Sequence, residues 1–170
     1  LADLLAIDER ARALSASLAF LGYRPRSERE MRDRLRQKGY QPEAIDAAVE
    51  KLRGWRYLDD ADFARRWVEN RETHQPRGRR LLEQELRRKG IDRETARETV
   101  EEAAIDERAA ALDLARDRLR RMAGDDPAAI RKRLSDFLAR RGYGWDVVRP
   151  TLDAVLGEAD ETSDLPPADG

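Results

Sequence analysis

The sequence predicts an all-α protein built from tandem three-helix repeats that form an elongated, curved helical array. The pattern Leu-x-x-Lys/Arg-Gly occurs three times, beginning at Leu35, Leu86 and Leu138, at spacings of 51 and 52 residues. A period of this size is typical of supersecondary units that bury their apolar faces against their neighbours. Apolar residues between these points recur at helical spacing, and no segment shows the alternation of a strand. Aromatic residues make up only 6% of the 170 residues and charged residues 41%, which favours an extended array over a large central core.

The ends of the first two helices of repeat one are marked by capping residues. Ser27 and Glu30 form a capping-box pattern, which predicts a helix start. Gly39 supplies the left-handed residue that ends this helix. Pro42 stands where a second helix can begin, because a missing N–H is tolerated in the first turn. We expect Gly54 to end that helix.

The second and third helices of repeat one carry apolar stripes. The second has a stripe at a period of 3.6 residues, comprising Ala44, Ile45, Ala48, Val49 and Leu52. Asp59 is the expected N-cap of the third helix, with Asp62 as a partial capping box. The apolar residues of the third helix are Phe63, Ala64, Trp67 and Val68.

The later repeats follow the same order with local differences. Repeat two keeps the apolar class at the stripe positions, although Thr95 and Thr99 weaken its middle stripe. Repeat three opens with Asp126 as an N-cap, followed by a proline. Its last helix is expected from about Trp145, with Pro150 kinking it or delaying its start.

The two ends of the chain complete the predicted organisation. Residues 2–21 can form one or two helices, and residues 157–170 hold five acids and no base, which predicts a disordered acidic tail. The predicted divisions are an N-terminal helical segment 1–23, repeat one 24–73, repeat two 74–123, a truncated repeat three 124–157 and the tail 158–170. Between Arg24 and Arg149 the chain has 32 Lys and Arg against 26 Asp and Glu, so the body is mildly basic.

The composition excludes several classes of function. There is no cysteine, which removes disulfides and thiolate metal sites. No apolar run approaches the ~18 residues that span a bilayer, and no signal segment opens the chain, so we expect a cytoplasmic protein without membrane contact.

Catalytic and cofactor motifs are also missing from the sequence. The single histidine, His74, is expected to be an ordinary loop residue, and the glycines stand singly rather than in a phosphate-binding loop. Asp59, Asp60 and Asp62 resemble a hard-cation site, but helix capping explains them better. We therefore expect no enzyme activity, no cofactor and no metal.

Basic residues are the main candidates for contact with a partner. The chain has 30 Arg and 4 Lys, and several short basic runs lie in repeats two and three. A phosphate backbone or an acidic protein surface would both suit such clusters, while solvated faces and helix dipoles explain many single arginines. The candidates are Arg77, Arg79, Arg80, Arg87, Arg88, Lys89, Arg116, Arg120, Arg131 and Arg133. Core packing is favoured over base stacking for the main aromatic residues, namely Trp55, Tyr57, Trp67, Tyr143 and Trp145.

One region of the sequence resembles the RecX family of bacterial regulators of the recombinase RecA. Residues 57–71 read Tyr-Leu-Asp-Asp-Ala-Asp-Phe-Ala-Arg-Arg-Trp-Val-Glu-Asn-Arg, followed by Pro-Arg-Gly at 76–78 and the second copy of the repeated motif. These residues are similar to the signature region of that family, and the resemblance covers roughly residues 11–157. The acidic tail and the threonines of repeat two depart from it.

The resemblance implies a non-enzymatic role in DNA recombination, DNA repair and the SOS response. It implies tandem three-helix repeats, binding along the groove of the RecA–single-stranded-DNA filament, and inhibition of RecA ATPase, strand exchange and filament growth. We expect a monomer whose partners are the RecA filament and the single-stranded DNA within it. The alternative is a helical-repeat DNA-binding protein that acts without RecA, and a third candidate is an adaptor that binds only proteins.

Overall fold

A computed structural model describes residues 2–122 and 126–163, with side chains for residues 4–122 and 126–158. The described residues form nine α-helices and one short 3₁₀ helix, and they contain no strand. This confirms the predicted all-α fold class. The helices are α1 (Ala2–Leu21), α2 (Glu28–Gln37), α3 (Pro42–Gly54), α4 (Asp60–His74), α5 (Arg79–Arg88), α6 (Arg93–Glu102), α7 (Glu107–Leu119), the 3₁₀ turn Arg120–Met122, α8 (Pro127–Arg140) and α9 (Trp145–Ser163).

The repeated motif ends the same kind of helix three times. It closes α2, α5 and α8, and its glycines Gly39, Gly90 and Gly142 have φ of +82°, +92° and +89°. This backbone conformation is strained for residues with a Cβ, so glycine is the residue that allows each chain reversal. The predicted helix ends at these three glycines are confirmed.

Most predicted helix starts are also present. The Ser27 hydroxyl accepts a hydrogen bond from the Glu30 N–H, and the Glu30 carboxylate accepts one from the Ser27 N–H, which completes the capping box. Asp59 accepts a hydrogen bond from the Asp62 N–H at 2.9 Å and caps α4. Asp126 caps α8.

The predicted end of α3 is confirmed with a different backbone geometry. Gly54 is the last residue of the helix, but the left-handed residue that follows is Arg56, with φ of +59°. The Tyr57 N–H then donates to the Leu52 carbonyl at 2.8 Å, which satisfies one of the open carbonyl groups at the end of the helix.

The predicted start of α9 at about Trp145 is confirmed, and Pro150 lies inside the helix without delaying its start. Two other local predictions are corrected by the structure. His74 is exposed and ends α4 instead of lying in the following linker. The predicted disordered tail begins too early, because α9 continues to Ser163 through the first acidic residues. Residues 164–170 of that tail lie outside the described residues.

The chain divides into two compact units. The first comprises Leu1–Glu69 with Glu83–Ala103, and the second comprises Asn70–Leu82 with Ala104–Gly170. In the first unit, the predicted stripe of α3 is buried with Met31 and Leu35 of α2. In the second, the core is formed by residues of α7, α8 and α9.

The starts of α2 and α5 each pack against a later copy of the repeated motif. In the first unit, the Ser27 hydroxyl donates to the Lys89 carbonyl at 2.6 Å. In the second unit, the Gly78 N–H donates to the Arg141 carbonyl at 2.9 Å. A Cβ on Gly78 would collide with the backbone carbonyl of Gly142. Glycine is therefore required at position 78 because the two backbones approach closely, and not because of its φ angle.

The packing of the main aromatic residues is a further correction. Tyr143 is buried, and Trp67 is half-buried on α4. Trp55, Tyr57 and Trp145, by contrast, are 47%, 58% and 63% exposed, so the prediction that they pack in the core is wrong for these three. Their sites lie at helix junctions, where an apolar residue can point outward without breaking a stripe.

Candidate nucleic-acid interface

The acidic cluster at the start of α4 is used for structure. Asp59 caps the helix, Asp62 pairs with Arg66 at 2.7 Å, and Asp60 accepts the Glu28 N–H at 2.8 Å. Burial raises the pKa of Asp60 in spite of that hydrogen bond. Among residues 4–122 and 126–158, no three His, Cys, Asp or Glu side chains are grouped as they would be around a metal ion. The helices of residues 2–122 and 126–163 include none with the length and apolarity to cross a bilayer.

Helix α5 carries an exposed basic face. Leu82 and Leu86 are fully buried on one side of the helix, and Arg80, Arg87 and Arg88 are exposed on the other. Within the described parts of the chain, these three guanidinium groups make no ion pair or hydrogen bond. We call Arg80, Arg87 and Arg88 the α5 arginine face.

The equivalent face of α2 is neutralised by an aspartate. Asp33 lies 2.6 Å from Arg36 and 3.9 Å from Arg29, and these arginines are 51 residues before Arg87 and Arg80. Asp33 therefore corresponds to Gln84 on α5.

Repeat three shows the same neutralisation. In α8, Asp136 pairs with Lys132 at 3.0 Å, and these residues lie 52 positions after Gln84 and Arg80. Of these three helices, α5 alone has a neutral glutamine at the centre of its basic face. Each carboxylate can pair with bases three or four residues away on the same helix, so its replacement by Gln84 leaves the arginines of α5 available to a ligand.

Two other candidates near α5 are engaged in the fold. Arg79 donates from Nη2 to the Ile105 carbonyl at 2.8 Å, and its backbone N–H donates to Glu107 at 2.8 Å. Arg77 is half-buried and donates to Gln75 at 3.4 Å. The contacts of Arg79 hold the start of α5 within the second unit.

Lys89 belongs to a packed polar cluster of the first unit. Its Nζ lies 2.8 Å from Glu30 and 4.9 Å from the centroid of the Trp67 ring. Partial burial opposes ionisation of Glu30, but hydrogen bonds from Arg24 and Lys89 outweigh it and lower the pKa of Glu30 to about 2. Lys89 thus stabilises the contact between α2 and the end of α5.

The remaining candidates all have partners within the chain. Arg116 forms a bidentate pair with Glu158 of α9 at 2.6 and 3.0 Å, and Arg131 pairs with Asp153 of α9 at 2.6 Å. Arg120 pairs with Asp117, and Arg133 of α8 is exposed but also has an interaction within the chain. The sequence shows the density of arginines but not which of them are paired, because several partners come from other helices.

Tyr143 is excluded as a surface contact by its environment. It is 4% exposed in the core of the second unit, and burial, followed by the charge of Glu107, raises the pKa of Tyr143 to about 12. Arg141 of the same motif lies over the Phe137 ring at 5.2 Å from its centroid, and burial lowers the pKa of that guanidinium. The motif's third copy therefore serves packing.

Three family models match the chain in succession. They are described as the first, second and third three-helix domains of RecX, and they match residues 13–52, 59–100 and 106–152. The chain belongs to the RecX family. The RecX domains group α1–α3, α4–α6 and α7–α9, whereas the division predicted from the sequence begins each repeat one helix later. The two divisions share a period and differ in phase, and the predicted boundaries stay a prediction.

Relatives over most of the chain carry the same family name. A regulatory protein RecX of Mycobacterium avium (strain 104) is 40% identical over 156 residues, covering 89% of this chain and 86% of the relative. One from Prosthecochloris aestuarii (strain DSM 271 / SK 413) is 34% identical over 145 residues, covering 85% of this chain and 94% of the relative. RecX is thus a family of regulatory proteins.

Solved RecX structures share the fold. The crystal structure of RecX from Lactobacillus salivarius matches with a TM-score of 0.77 at 20% identity, over 88% of this chain and 97% of that one. A second crystal structure, of regulatory protein RecX, matches with a TM-score of 0.78 at 23% identity, over 89% of this chain and 75% of that one. At these identities the likeness concerns the fold alone.

Proposed function

We propose that this protein binds the RecA–single-stranded-DNA filament and inhibits RecA ATPase, strand exchange and filament growth. The regulatory role of the RecX family supports the first part of this proposal. The observation that carries the site is the α5 arginine face, where Gln84 replaces the carboxylate that neutralises the corresponding faces of α2 and α8. The protein acts by occupancy of the filament and without chemistry of its own.

The spacing of the α5 arginine face suits a phosphate backbone. At a rise of 1.5 Å per residue, Arg80 and Arg88 are about 12 Å apart along the helix axis. That distance corresponds to about three to four nucleotides at ~3.4 Å per nucleotide. Arginine donates two parallel hydrogen bonds to a phosphate, so three free guanidinium groups are suited to neighbouring phosphates of one strand. Acidic side chains on a filament protomer would satisfy the same geometry.

The test is a triple substitution on α5. Arg80, Arg87 and Arg88 are changed together to Gln, and the single-stranded-DNA-dependent ATPase of RecA is measured as the protein is titrated. Arg79 is left unchanged because its backbone and side chain hold the start of α5 within the second unit. We expect the concentration for half-inhibition to rise at least about tenfold, as for the loss of several phosphate contacts. Full inhibition by this variant at the wild-type concentration would contradict the site.

A matched control removes the same charge elsewhere. Arg10, Arg121 and Arg149 are exposed and have no ion pair among the described residues. Their combined change to Gln should leave inhibition within about twofold of wild type, because they lie outside α5 and an exposed charge more than about 10 Å from a ligand is largely screened by salt. Equal losses in both triple variants would show that net charge, and not the α5 arginine face, governs binding.

A second measurement separates RecA-dependent action from plain DNA binding. The protein is titrated against single-stranded and double-stranded DNA without RecA at two salt concentrations. Tight binding that falls steeply with salt and needs no RecA would favour the alternative, a DNA-binding protein that acts alone. No affinity for either DNA, together with intact inhibition, would favour contact with RecA protein only.

A further inference from the structure

The junction between α3 and α4 presents two large aromatic rings to solvent. Trp55 and Tyr57 are 47% and 58% exposed, even though their rings contact each other edge to face at a centroid distance of 6.1 Å. Tryptophan and tyrosine are enriched at binding interfaces, because their large rings supply contact area while one polar atom can stay in contact with water.

The fold does not require aromatic residues at this junction. The matched junction between α6 and α7 also turns through a left-handed residue, since Arg56 has φ of +59° and Ala104 has φ of +49°. A buried aliphatic residue then follows in both, Leu58 in one and Ile105 in the other. The second junction has two small residues, Ala103 and Ala104, around its left-handed position and is one residue shorter. The rings of the first junction are therefore dispensable for the turn.

The aromatic pair is accompanied by cations. The ammonium group of Lys51 lies 5.8 Å from the centroid of the Trp55 ring, within the range of a cation–π contact. Arg56 is exposed, and its guanidinium group makes no ion pair or hydrogen bond among the described residues. It also occupies the left-handed position, where glycine would be less strained. Arg53 is held by Glu28 and is not part of this group.

We propose that Trp55 and Tyr57 stack on bases of single-stranded nucleic acid while Lys51 and Arg56 contact its phosphates. Flat exposed rings beside cations on long side chains are the combination that binds single strands without reading sequence, because every base has a π-face and every nucleotide a charge. An apolar protein partner would be served by the rings alone, and two cations beside them would oppose it. The site lies within the first unit, is separate from the α5 arginine face, and does not depend on RecA.

The experiment measures binding of the full chain to a fluorescein-labelled oligothymidylate of about 20 nucleotides, longer than the usual single-strand site, by anisotropy. Trp55→Ala and Tyr57→Ala should each weaken binding about fivefold to tenfold, within the range expected for the loss of one stacked base. Trp55→Phe should recover most of the loss, since it retains a ring. The matched control is Trp145→Ala, because Trp145 is an exposed tryptophan elsewhere, 63% exposed on α9. The affinity of this variant for the oligonucleotide should equal that of the wild type. Far-UV circular dichroism checks that each variant remains helical.

An abasic oligonucleotide of the same length separates stacking from backbone contact. The wild type and Trp55→Ala should bind it equally, since no base is left to stack. Arg56→Gly should lower the slope of log affinity against log salt by about 0.7 on both oligonucleotides, while Trp55→Ala leaves the slope unchanged.

Three outcomes would overturn the proposal. The first is that Trp55→Ala binds oligothymidylate with the affinity of the wild type. The second is that Trp55→Ala loses as much affinity for the abasic strand as for oligothymidylate. The third is that Trp145→Ala loses as much affinity for oligothymidylate as Trp55→Ala does. A loss of RecA inhibition in Trp55→Ala with unchanged binding of the oligonucleotide would assign the junction to a protein surface instead. If the α5 triple variant still inhibited RecA fully, only the proposed function would be contradicted. The oligonucleotide-binding assay contains no RecA and would be unaffected by that result.

Discussion

Restoring the missing carboxylate on α5 is the sharpest test of the arginine face. In Gln84→Asp, the new carboxylate lies four residues from Arg80 and Arg88 and three from Arg87. In α2 the equivalent Asp33 reaches one arginine at 2.6 Å and another at 3.9 Å, with all three side chains half or more exposed. We therefore expect the substitution to neutralise about one guanidinium group without deleting any arginine.

Gln84→Asp should change the affinity for the filament much more than it changes the stability of the fold. Exposed pairs three or four residues apart contribute about 0.3–0.5 kcal/mol each, and the lower helix propensity of Asp offsets part of this. The free energy of unfolding should thus change by less than about 0.5 kcal/mol. Binding to a single strand varies with salt as about 0.7 per phosphate contact, so the loss of one contact lowers affinity about fivefold at ~0.1 M salt.

The assay is half-inhibition of RecA ATPase by wild type, Gln84→Asp and Gln84→Asn. We expect the aspartate variant to need about five times more protein and the asparagine variant to match wild type, since it changes shape without charge. Asp33→Gln is the reciprocal control, because it frees two arginines on α2 and should leave inhibition unchanged. Equal potency of Gln84→Asp and Gln84→Asn would contradict a role for the charge of the α5 arginine face, and so would a marked gain of potency in Asp33→Gln.

Three further predictions concern the fold and the tail. Gly39→Ala should lower the free energy of unfolding, measured with urea, by about 1 kcal/mol, because φ is +82° and no atom lies near the new Cβ. Gly78→Ala should lower it by more than about 2 kcal/mol, because the new Cβ would collide with the backbone of Gly142. The reverse order would contradict the close approach of Gly78 to Gly142. Glu30→Gln should lower the free energy of unfolding by about 1–2 kcal/mol at neutral pH, after allowance for solvent screening. Because folding depresses the pKa of Glu30 from 4.5 to about 2, this stabilisation is present above pH 4.5 and is lost as the pH falls toward 2. An effect of the substitution that does not shrink near pH 2 would contradict the ion-pair account. Glu158→Gln should raise the affinity for single-stranded DNA about twofold to fivefold, because it breaks the pair between Glu158 and Arg116. Deletion of residues 158–170 should have the same effect. Unchanged affinities in anisotropy titrations would show that the Arg116–Glu158 pair does not compete with nucleic acid.

The repeated motif shows how much of the fold could be predicted from local sequence. A left-handed glycine, a Ser-x-x-Glu capping box and a 3.6-residue stripe each depend on neighbours within a few positions. The structure confirms them at Gly39, Gly90 and Gly142, at Ser27, and in the buried stripe of α3. Gly54 also ends its helix, but the left-handed position belongs to Arg56, which local propensity does not mark.

The candidate site was less predictable because arginine is a versatile residue. Of the ten candidates, the sequence cannot separate Arg80, which faces solvent, from Arg79, which donates to a carbonyl 26 residues away. Gln84 carries no charge, so the density of basic residues does not mark it. Alignment of the three copies of the motif does mark it, since Asp occupies the matched sites on α2 and α8.

The period, most helix ends, the apolar stripes and the membership of a regulatory family could be predicted from the sequence. These properties are local or repeat along the chain, so a single sequence carries them completely. The folded arrangement was needed to show which charges are free, that the rings of Trp55 and Tyr57 reach solvent, and why Gly78 must lack a side chain. Those features depend on groups brought together from distant positions, because Coulomb interactions, burial and steric contact act through space and not along the chain.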